Sequence, residues 1–421
     1  MLTIRKSRLE GEVVPPPSKS VTHRAYIIAS LTANGSKVKN PLHSEDTDAT
    51  FAVLAKMGMK SKTSENTIVI DQPIRKGAGE ADCRNSGTTL RLLTAVNAAF
   101  PEKTILTGDD SLITRPISDL VDSLHQLGAD IKTRNGFPPV IIERPIAKEK
   151  FECTLNPSKS SQFLSALLIL GAIKENGIQV SLEGTFPSRP YVAMTVQMLS
   201  EAGAKINTKE RVFEIIKPLP QEPVEFNVPA DFSSAAFYIV AGALPGNSIM
   251  IKGIDRRYPQ ADSAIIDLVR RFGADIEETP EGIRVSHHEL VPQEIDLADS
   301  PDLFPILGVL AAFTEGKTTI YGASHLKYKE TNRIKTTGEL VRKLGASFVE
   351  NEDGAIIEGR STLQGGEIVD SYGDHRIAMA AAIAATQAER GLRIRNWQAA
   401  SVSYRDFYLH LKAIGGKIKE E

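Results

Sequence analysis

Apolar and polar positions along the chain repeat on a long period. Six times, a helical stretch with an apolar face runs into a glycine turn and then into an alternating, strand-like stretch. The six are LAKMGMKSKT, LHQLGADIKT, LSEAGAKINT, VRRFGADIEE, VRKLGASFVE and LKAIGGKIKE. Their glycines, Gly58, Gly128, Gly203, Gly273, Gly345 and Gly415, stand 70 to 75 residues apart. Each fits the left-handed position that closes a helix, where a side chain is penalised. A second, more apolar helix is predicted to begin 38 to 44 residues before each glycine, near Ser20, Gly87, Ser161, Ser233, Pro301 and His375. Short β-rich stretches such as NTIVI, PPVIIE, GIQVSL and TTIYG fill the intervals. A unit of two helices and several strands on this period exceeds common solenoid repeats, so the pattern predicts compact α/β domains built from three repeats each.

The proline-rich stretch KPLPQEPVEFNVPA, residues 217–230, reads as a crossing between the two domains. The last repeat ends soon after its glycine, with only Lys417, Ile418 and Lys419 as strand material. The start, MLTIRKSRLEGEVV, alternates like one strand and is expected to complete that repeat. The predicted domains are therefore residues 18–228, and residues 1–17 together with 229–421, linked by two strands.

Composition narrows the function. Fifty Lys+Arg against 52 Asp+Glu leave a net charge of -2, which gives no support to a general nucleic-acid or membrane-surface binder. Cys83 and Cys153 are too few for a disulfide framework. The longest apolar runs, 163–173 and 377–385, are far short of a membrane span. The N-terminal segment lacks the apolar core of a signal peptide. A cytoplasmic protein is expected, monomeric by default because no residual apolar face is identifiable.

Candidate chemistry collects at helix beginnings: Ser18-Lys19-Ser20, Asn85-Ser86-Gly87-Thr88, Ser160-Ser161-Gln162, Ser300-Pro301-Asp302 and Asp374-His375-Arg376 open the apolar helices. Thr114-Arg115-Pro116, Ser188-Arg189-Pro190-Tyr191 and Lys329-Glu330-Thr331-Asn332-Arg333 open three of the others. Unpaired N–H groups and the helix dipole suit such ends to phosphate or carboxylate. Taken singly, the small polar residues are ordinary N-caps. Glu330 and Arg333 could form an exposed i,i+3 ion pair, and Arg24 could be a surface charge. Interchangeable caps do not explain why Lys19, Arg115, Arg333 and Arg376 all occupy such ends; together they favour a site for a doubly anionic ligand. His287-His288-Glu289 lacks zinc-ligand spacing and reads as a surface turn. No Walker loop and no G-x-G-x-x-G is present, and the lone Trp397 makes no base-stacking platform.

Eight ordered stretches, PPSKSVTHR (16–24), RNSGTTLRLL (84–93), TRPISDLVDSL (114–124), SKSSQFLSALL (158–168), SRPYV (188–192), DSPDLFPILGVLAA (299–312), KETNRIK (329–335) and GDHRIAMA (373–380), span nearly the whole chain. On them the sequence resembles the EPSP synthase (3-phosphoshikimate 1-carboxyvinyltransferase) family of enolpyruvyl transferases. The resemblance implies an inside-out α/β barrel of two domains, each with three βαβαββ units and the active site in the cleft between them. It implies transfer of the enolpyruvyl group of phosphoenolpyruvate to the 5-hydroxyl of shikimate 3-phosphate, with release of phosphate and with neither cofactor nor metal. By the same resemblance Asp302 is the base at the hydroxyl, Glu330 handles the methylene proton, and Lys19 touches both substrates. Shikimate 3-phosphate is expected against Lys19, Ser20, Arg24, Ser160, Ser161, Gln162, Ser188, Tyr191, Asp302 and Lys329. Phosphoenolpyruvate is expected against Lys19, Gly87, Arg115, Gln162, Arg333 and Arg376, with Asn85, Thr88 and His375 in support.

The chain departs from the family pattern at three places. Val402 stands where many members carry a lysine, with Arg405 nearby; His325 stands where some have asparagine; and Leu92 follows Arg91 where proline is common. A related transferase acting on UDP-N-acetylglucosamine would show Lys-Asn in place of Lys19-Ser20, and often a cysteine within the segment 107–116, which has none. A non-catalytic anion-binding relative would be expected to have lost Asp302 or Glu330.

Overall fold

The computed structural model describes residues 1–147, 151–255 and 258–421. Twelve α-helices occur among them, in six pairs: α1 Lys19–Leu31 and α2 Glu45–Lys56; α3 Gly87–Asn97 and α4 Ser118–Gln126; α5 Gln162–Gly171 and α6 Arg189–Glu201; α7 Phe232–Ala243 and α8 Ile265–Arg271; α9 Phe304–Ala312 and α10 Arg333–Leu344; α11 His375–Gln387 and α12 Phe407–Ala413. The first helix of each pair is the apolar one. Every residue of α9 and of α11 is buried, as a helix without a polar face requires. The second helix of each pair ends at its marker glycine, and all six glycines adopt φ between +91° and +108°.

Six four-stranded sheets share one plan. An outer strand runs parallel to the second, and the third and fourth form an antiparallel pair on its other side, joined as a hairpin in five of the six. In the second repeat these strands are Glu80–Asp82, Thr104–Thr107, Phe137–Arg144 and Asp130–Arg134. The sheets lie outside the apolar helices: α3 packs on Thr104–Thr107, and α5 on strands Ile178–Leu182 and Val212–Lys217. This is the inside-out arrangement.

The chain forms two compact units. One is Pro17–Pro229. Its first sheet takes its outer strand, Glu225–Asn227, from far along the chain, in parallel with Lys37–Lys39. Most of the stretch 217–230 is therefore a working part of this unit, and the chain leaves it only after Pro229. The sequence pattern missed this because a three-residue strand flanked by prolines has no visible alternation.

The other unit combines Met1–Pro16 with Ala230–Glu421. Its helices α7, α9 and α11 pack on one another. The N-terminal segment is two strands, not the single one its alternation suggested. Leu2–Arg5 inserts between Leu392–Arg395 and Lys417–Glu420, completing the last sheet. Glu10–Val13 becomes the outer strand of a different sheet, parallel to Ser248–Lys252. The break falls at Ser7, whose amide donates to the Thr386 carbonyl and whose hydroxyl accepts from the Lys417 amide. The Leu9 amide then donates to Asn247 Oδ1 at 2.8 Å. The Met1 ammonium donates to the Glu421 carbonyl at 2.9 Å, so the chain ends meet where the other sheets have a hairpin turn.

Candidate active site

In the second unit a guanidinium organises the chemistry. Arg333 opens α10 with its side chain 1% exposed. It donates from Nη1 to Asp302 Oδ1 (2.7 Å), from Nη2 to Glu330 Oε2 (2.6 Å) and from Nε to Asp374 Oδ2 (2.8 Å). The Glu330–Arg333 pair is thus the centre of a buried cluster rather than the solvent-exposed pair considered from sequence. Burial alone would lower the Arg333 pKa; Asp374, Glu330 and Asp302 together hold it well above the ordinary arginine value. Four of its five N–H donors are committed to three carboxylates, leaving one on Nη1 for the contact with phosphoenolpyruvate that the family resemblance implies.

Asp302 lies in the 3-10 turn Pro301–Leu303 ahead of α9. Lys329 Nζ stands 3.2 Å from its Oδ1, and Arg376 donates to its Oδ2 at 3.3 Å and to its carbonyl at 3.2 Å. Burial pushes its carboxyl up, but Arg376, Lys329 and Arg333 outweigh that and hold it far below the usual carboxylate range. Asp302 is therefore ionised and able to accept a proton, the first requirement of a general base. Its basicity rises when anionic ligands share the cations around it. Asp374, fully buried, caps α11 through the Arg376 amide while it also binds Arg333. His375 follows it and is buried. His325, in the short helix Ser324–Tyr328, is buried with Nε2 lacking a hydrogen-bond partner among the described residues. Burial, with Lys329 adding and Asp302 opposing, takes it down to about 4, so the ring is neutral at pH 7.

In the unit Pro17–Pro229 the predicted residues fall into three connected groups. Arg24 is not a surface charge: its guanidinium is buried, donating to Thr195 Oγ1 (2.7 Å) and to the Ser20 and Tyr191 carbonyls (2.9 and 3.2 Å). Burial lowers its pKa to about 10, and Tyr191 opposes that shift, so it stays charged at neutral pH. It ties together the beginnings of α1 and α6. Ser188, in left-handed conformation, precedes α6. Ser18, Ser161 and Ser188, the N-cap residues of α1, α5 and α6, make no side-chain cap bond, whereas Ser86, Asn332 and Asp374 do cap their helices. Helix ends without a side-chain cap keep N–H groups for an anion. Ser160 Oγ accepts from the Gln162 amide at 3.3 Å.

The second group surrounds the start of α3. Arg115 lies three residues ahead of α4, in extended conformation after the 3-10 turn Leu112–Thr114, and not in the helix's first turn as the sequence suggested. It donates to Asn85 Oδ1 and to Ser111 Oγ. Gln162 donates to Thr88 Oγ1 at 2.9 Å and accepts from Arg91 Nη1 at 2.9 Å. A Cβ on Gly87 would lie 3.3 Å from Arg115 Nη1 and 3.4 Å from Arg91 Nη1, so the missing side chain is what leaves the guanidinium groups close to the backbone. In the third group Lys19 Nζ pairs with Asp46 at 2.8 Å.

Asp46, Arg91, Asp374 and Thr195 escaped the sequence assignment. Acids at helix starts pass for caps, and Thr195 lies in mid-helix; Asp374 next to His375-Arg376 was the best available signal. Among the described residues no cluster of three or more His, Cys, Asp or Glu side chains is placed to hold a metal ion, and no helix is long and apolar enough to cross a membrane. Cys83 and Cys153 are buried, and burial pushes both thiols up to about 12, which suits inert core positions.

Comparison with known proteins bears on the family and the fold. The family model for EPSP synthase (3-phosphoshikimate 1-carboxyvinyltransferase) matches residues 4–411. A curated 3-phosphoshikimate 1-carboxyvinyltransferase of Methanocorpusculum labreanum is 35% identical, with 100% of each chain covered. Another, of Halobacterium salinarum, is 37% identical, with 98% of each covered. A solved structure of EPSP synthase from Acinetobacter baumannii superposes with a TM-score of 0.82 at 26% identity, covering 100% of this chain and 99% of that one. The enolpyruvyl transferase NikO of Streptomyces tendae shares the fold, with a TM-score of 0.76 at 19% identity over 99% and 98% of the two chains. From end to end, this chain belongs to the EPSP synthase (3-phosphoshikimate 1-carboxyvinyltransferase) family.

Proposed function

We propose that the protein transfers the 1-carboxyvinyl group of phosphoenolpyruvate to the 5-hydroxyl of shikimate 3-phosphate. The observation that carries the proposal is Asp302: an ionised, partly exposed carboxylate surrounded by Lys329, Arg333 and Arg376 and adjacent through Arg333 to a second carboxyl, Glu330. The reaction needs two proton-transfer groups. Asp302 takes the proton of the 5-hydroxyl as its oxygen bonds to C2 of phosphoenolpyruvate, while Glu330 delivers a proton to C3. The tetrahedral intermediate then loses the C3 proton to Glu330 as the C2–O bond to phosphate breaks, and the departing phosphate is stabilised by Lys19. No net proton is left on C3, the leaving group carries away the electron pair of the C2–O bond, and the hydroxyl proton held by Asp302 passes to the released phosphate.

Binding follows the same electrostatics. The helix starts of α1, α5 and α6, around Arg24, suit the phosphate of shikimate 3-phosphate, with Ser20, Ser160, Ser161, Ser188, Tyr191 and Lys329 as polar contacts. Arg115, Gln162, Gly87, Arg333 and Arg376 are assigned to phosphoenolpyruvate, where planar guanidinium groups pair with carboxylate or phosphate bidentately; Asn85 and Thr88 orient Arg115 and Gln162. Exchange of either proton-transfer group tests the assignment. Asp302→Asn and Glu330→Gln should each lower kcat about a hundredfold or more while both substrates still bind by calorimetry. Near-normal turnover in either variant rejects that residue's role.

A further inference from the structure

Asp262 has no part in the site described above, yet it touches it. It lies in the 3-10 turn Ala261–Ala264 leading into α8, and its side chain is 1% exposed. The Ser233 hydroxyl donates to its Oδ2, and Arg376 Nη1 approaches the same oxygen at 3.8 Å. Its Oδ1 is buried with no hydrogen-bond partner among the described residues. Arg376 meanwhile donates to the carbonyl and the carboxylate of Asp302. One guanidinium thus serves two carboxylates, the partly exposed Asp302 assigned to the chemistry and the buried Asp262 not. A purely structural role would not need the second charge, because an amide could accept from both Ser233 and Arg376, and an unsatisfied buried carboxylate costs stability.

We infer that Asp262 is a positioning residue that holds Arg376 by its charge and withdraws part of the guanidinium's pull from anionic substrate, releasing that pull when it takes up a proton. The inference rests on the proposed pairing of Arg376 with phosphoenolpyruvate. The groups acting on Asp262 are Asp231 and Ser233 at the start of α7, Asp302 ahead of α9 and Arg376 in α11. Burial raises its carboxyl to about 6; Arg376 opposes the rise, Asp302 adds to it, the Ser233 hydroxyl opposes it and Asp231 adds to it. An anion brought to Arg376 favours protonation of Asp262, and by reciprocity protonation of Asp262 strengthens anion binding.

Steady-state kinetics of wild type, Asp262→Asn, Ser233→Ala and Arg376→Lys, from about pH 5.5 to about pH 8.5, test this. Near pH 8, Asp262→Asn should lower KM for phosphoenolpyruvate about threefold or more relative to wild type, with kcat changed less than that. The ratio of the two KM values should fall toward one below about pH 6, and because it is a ratio, titration of the substrate cancels. Ser233→Ala, which removes a bond to the carboxylate, should shift the wild-type change in KM to higher pH, and it carries the test if the asparagine variant does not fold. A KM ratio that stays constant with pH, or an effect confined to kcat, overturns the inference. Arg376→Lys separates the two levels. If it raises KM for phosphoenolpyruvate while Asp262→Asn and Ser233→Ala change nothing, only Asp262 has been misassigned. If it leaves KM unchanged, the pairing of Arg376 with that substrate fails, and the role of Asp262 fails with it.

Discussion

Asp302 and Asp262 share one arginine and sit on opposite sides of the carboxylate range, which gives them opposite effects on stability. For Asp302 the folded-state pKa is depressed, so its ionised form stabilises the fold above the unfolded value of about 3.9, and that contribution is lost as pH falls below it. For Asp262 the folded-state pKa is raised to about 6. Its folded form binds more protons than the unfolded chain between the two values, so stability declines as pH rises through that window. Denaturant unfolding should therefore find Asp302→Asn less stable than wild type at neutral pH, with the deficit shrinking in acid. Asp262→Asn should be more stable than wild type near pH 8, by up to about 2–3 kcal/mol, and level with it near pH 4. The same sign for both variants at neutral pH would contradict the electrostatic assignment. The motif Lys329-Glu330 with Arg333 was legible as chemistry in the sequence, but the burial of Arg333 was not. Asp374 and Asp262 were not assigned because their arginine partners, Arg333 and Arg376, come from other repeats, and Asp46 because its partner Lys19, in the same repeat, lies 27 residues away.

Among the elements, the six glycine turns were the most legible feature, since a left-handed residue after an amphipathic helix leaves a local trace. They are not equivalent in space. Gly273 and Gly345 have nearly the same φ, +103° and +104°. A Cβ at Gly345 meets nothing within 4 Å, whereas one at Gly273 would lie 2.2 Å from the Glu289 carbonyl oxygen. Gly345→Ala should cost about 1–2 kcal/mol, the left-handed backbone penalty alone. Gly273→Ala should cost measurably more in denaturant unfolding, because the backbone itself must move; equal losses would show that the turn relaxes freely. Less legible were the elements fixed by distant partners. The break at Ser7 is made by Thr386 and Lys417, and the strand Glu225–Asn227 exists because Lys37–Lys39 pairs with it. Which helix-start serines act as caps was equally hidden: Ser86 does and Ser161 does not, although both precede an apolar helix.

At the scale of the whole chain, repetition and division serve one reaction. Each unit is closed by a strand from a distant part of the sequence, Glu10–Val13 in one and Glu225–Asn227 in the other. The residues assigned to the reaction are split between the units: Lys19 to Tyr191 in Pro17–Pro229, and Asp302 to Arg376 in the other. Neither unit alone carries both the proton-transfer pair and the helix starts assigned to shikimate 3-phosphate. Phosphate release from phosphoenolpyruvate by the intact chain is the most direct measurement. Release should depend on shikimate 3-phosphate, with UDP-N-acetylglucosamine unable to replace it. Release that proceeds without shikimate 3-phosphate, or that the UDP-sugar supports instead, would contradict the proposed reaction.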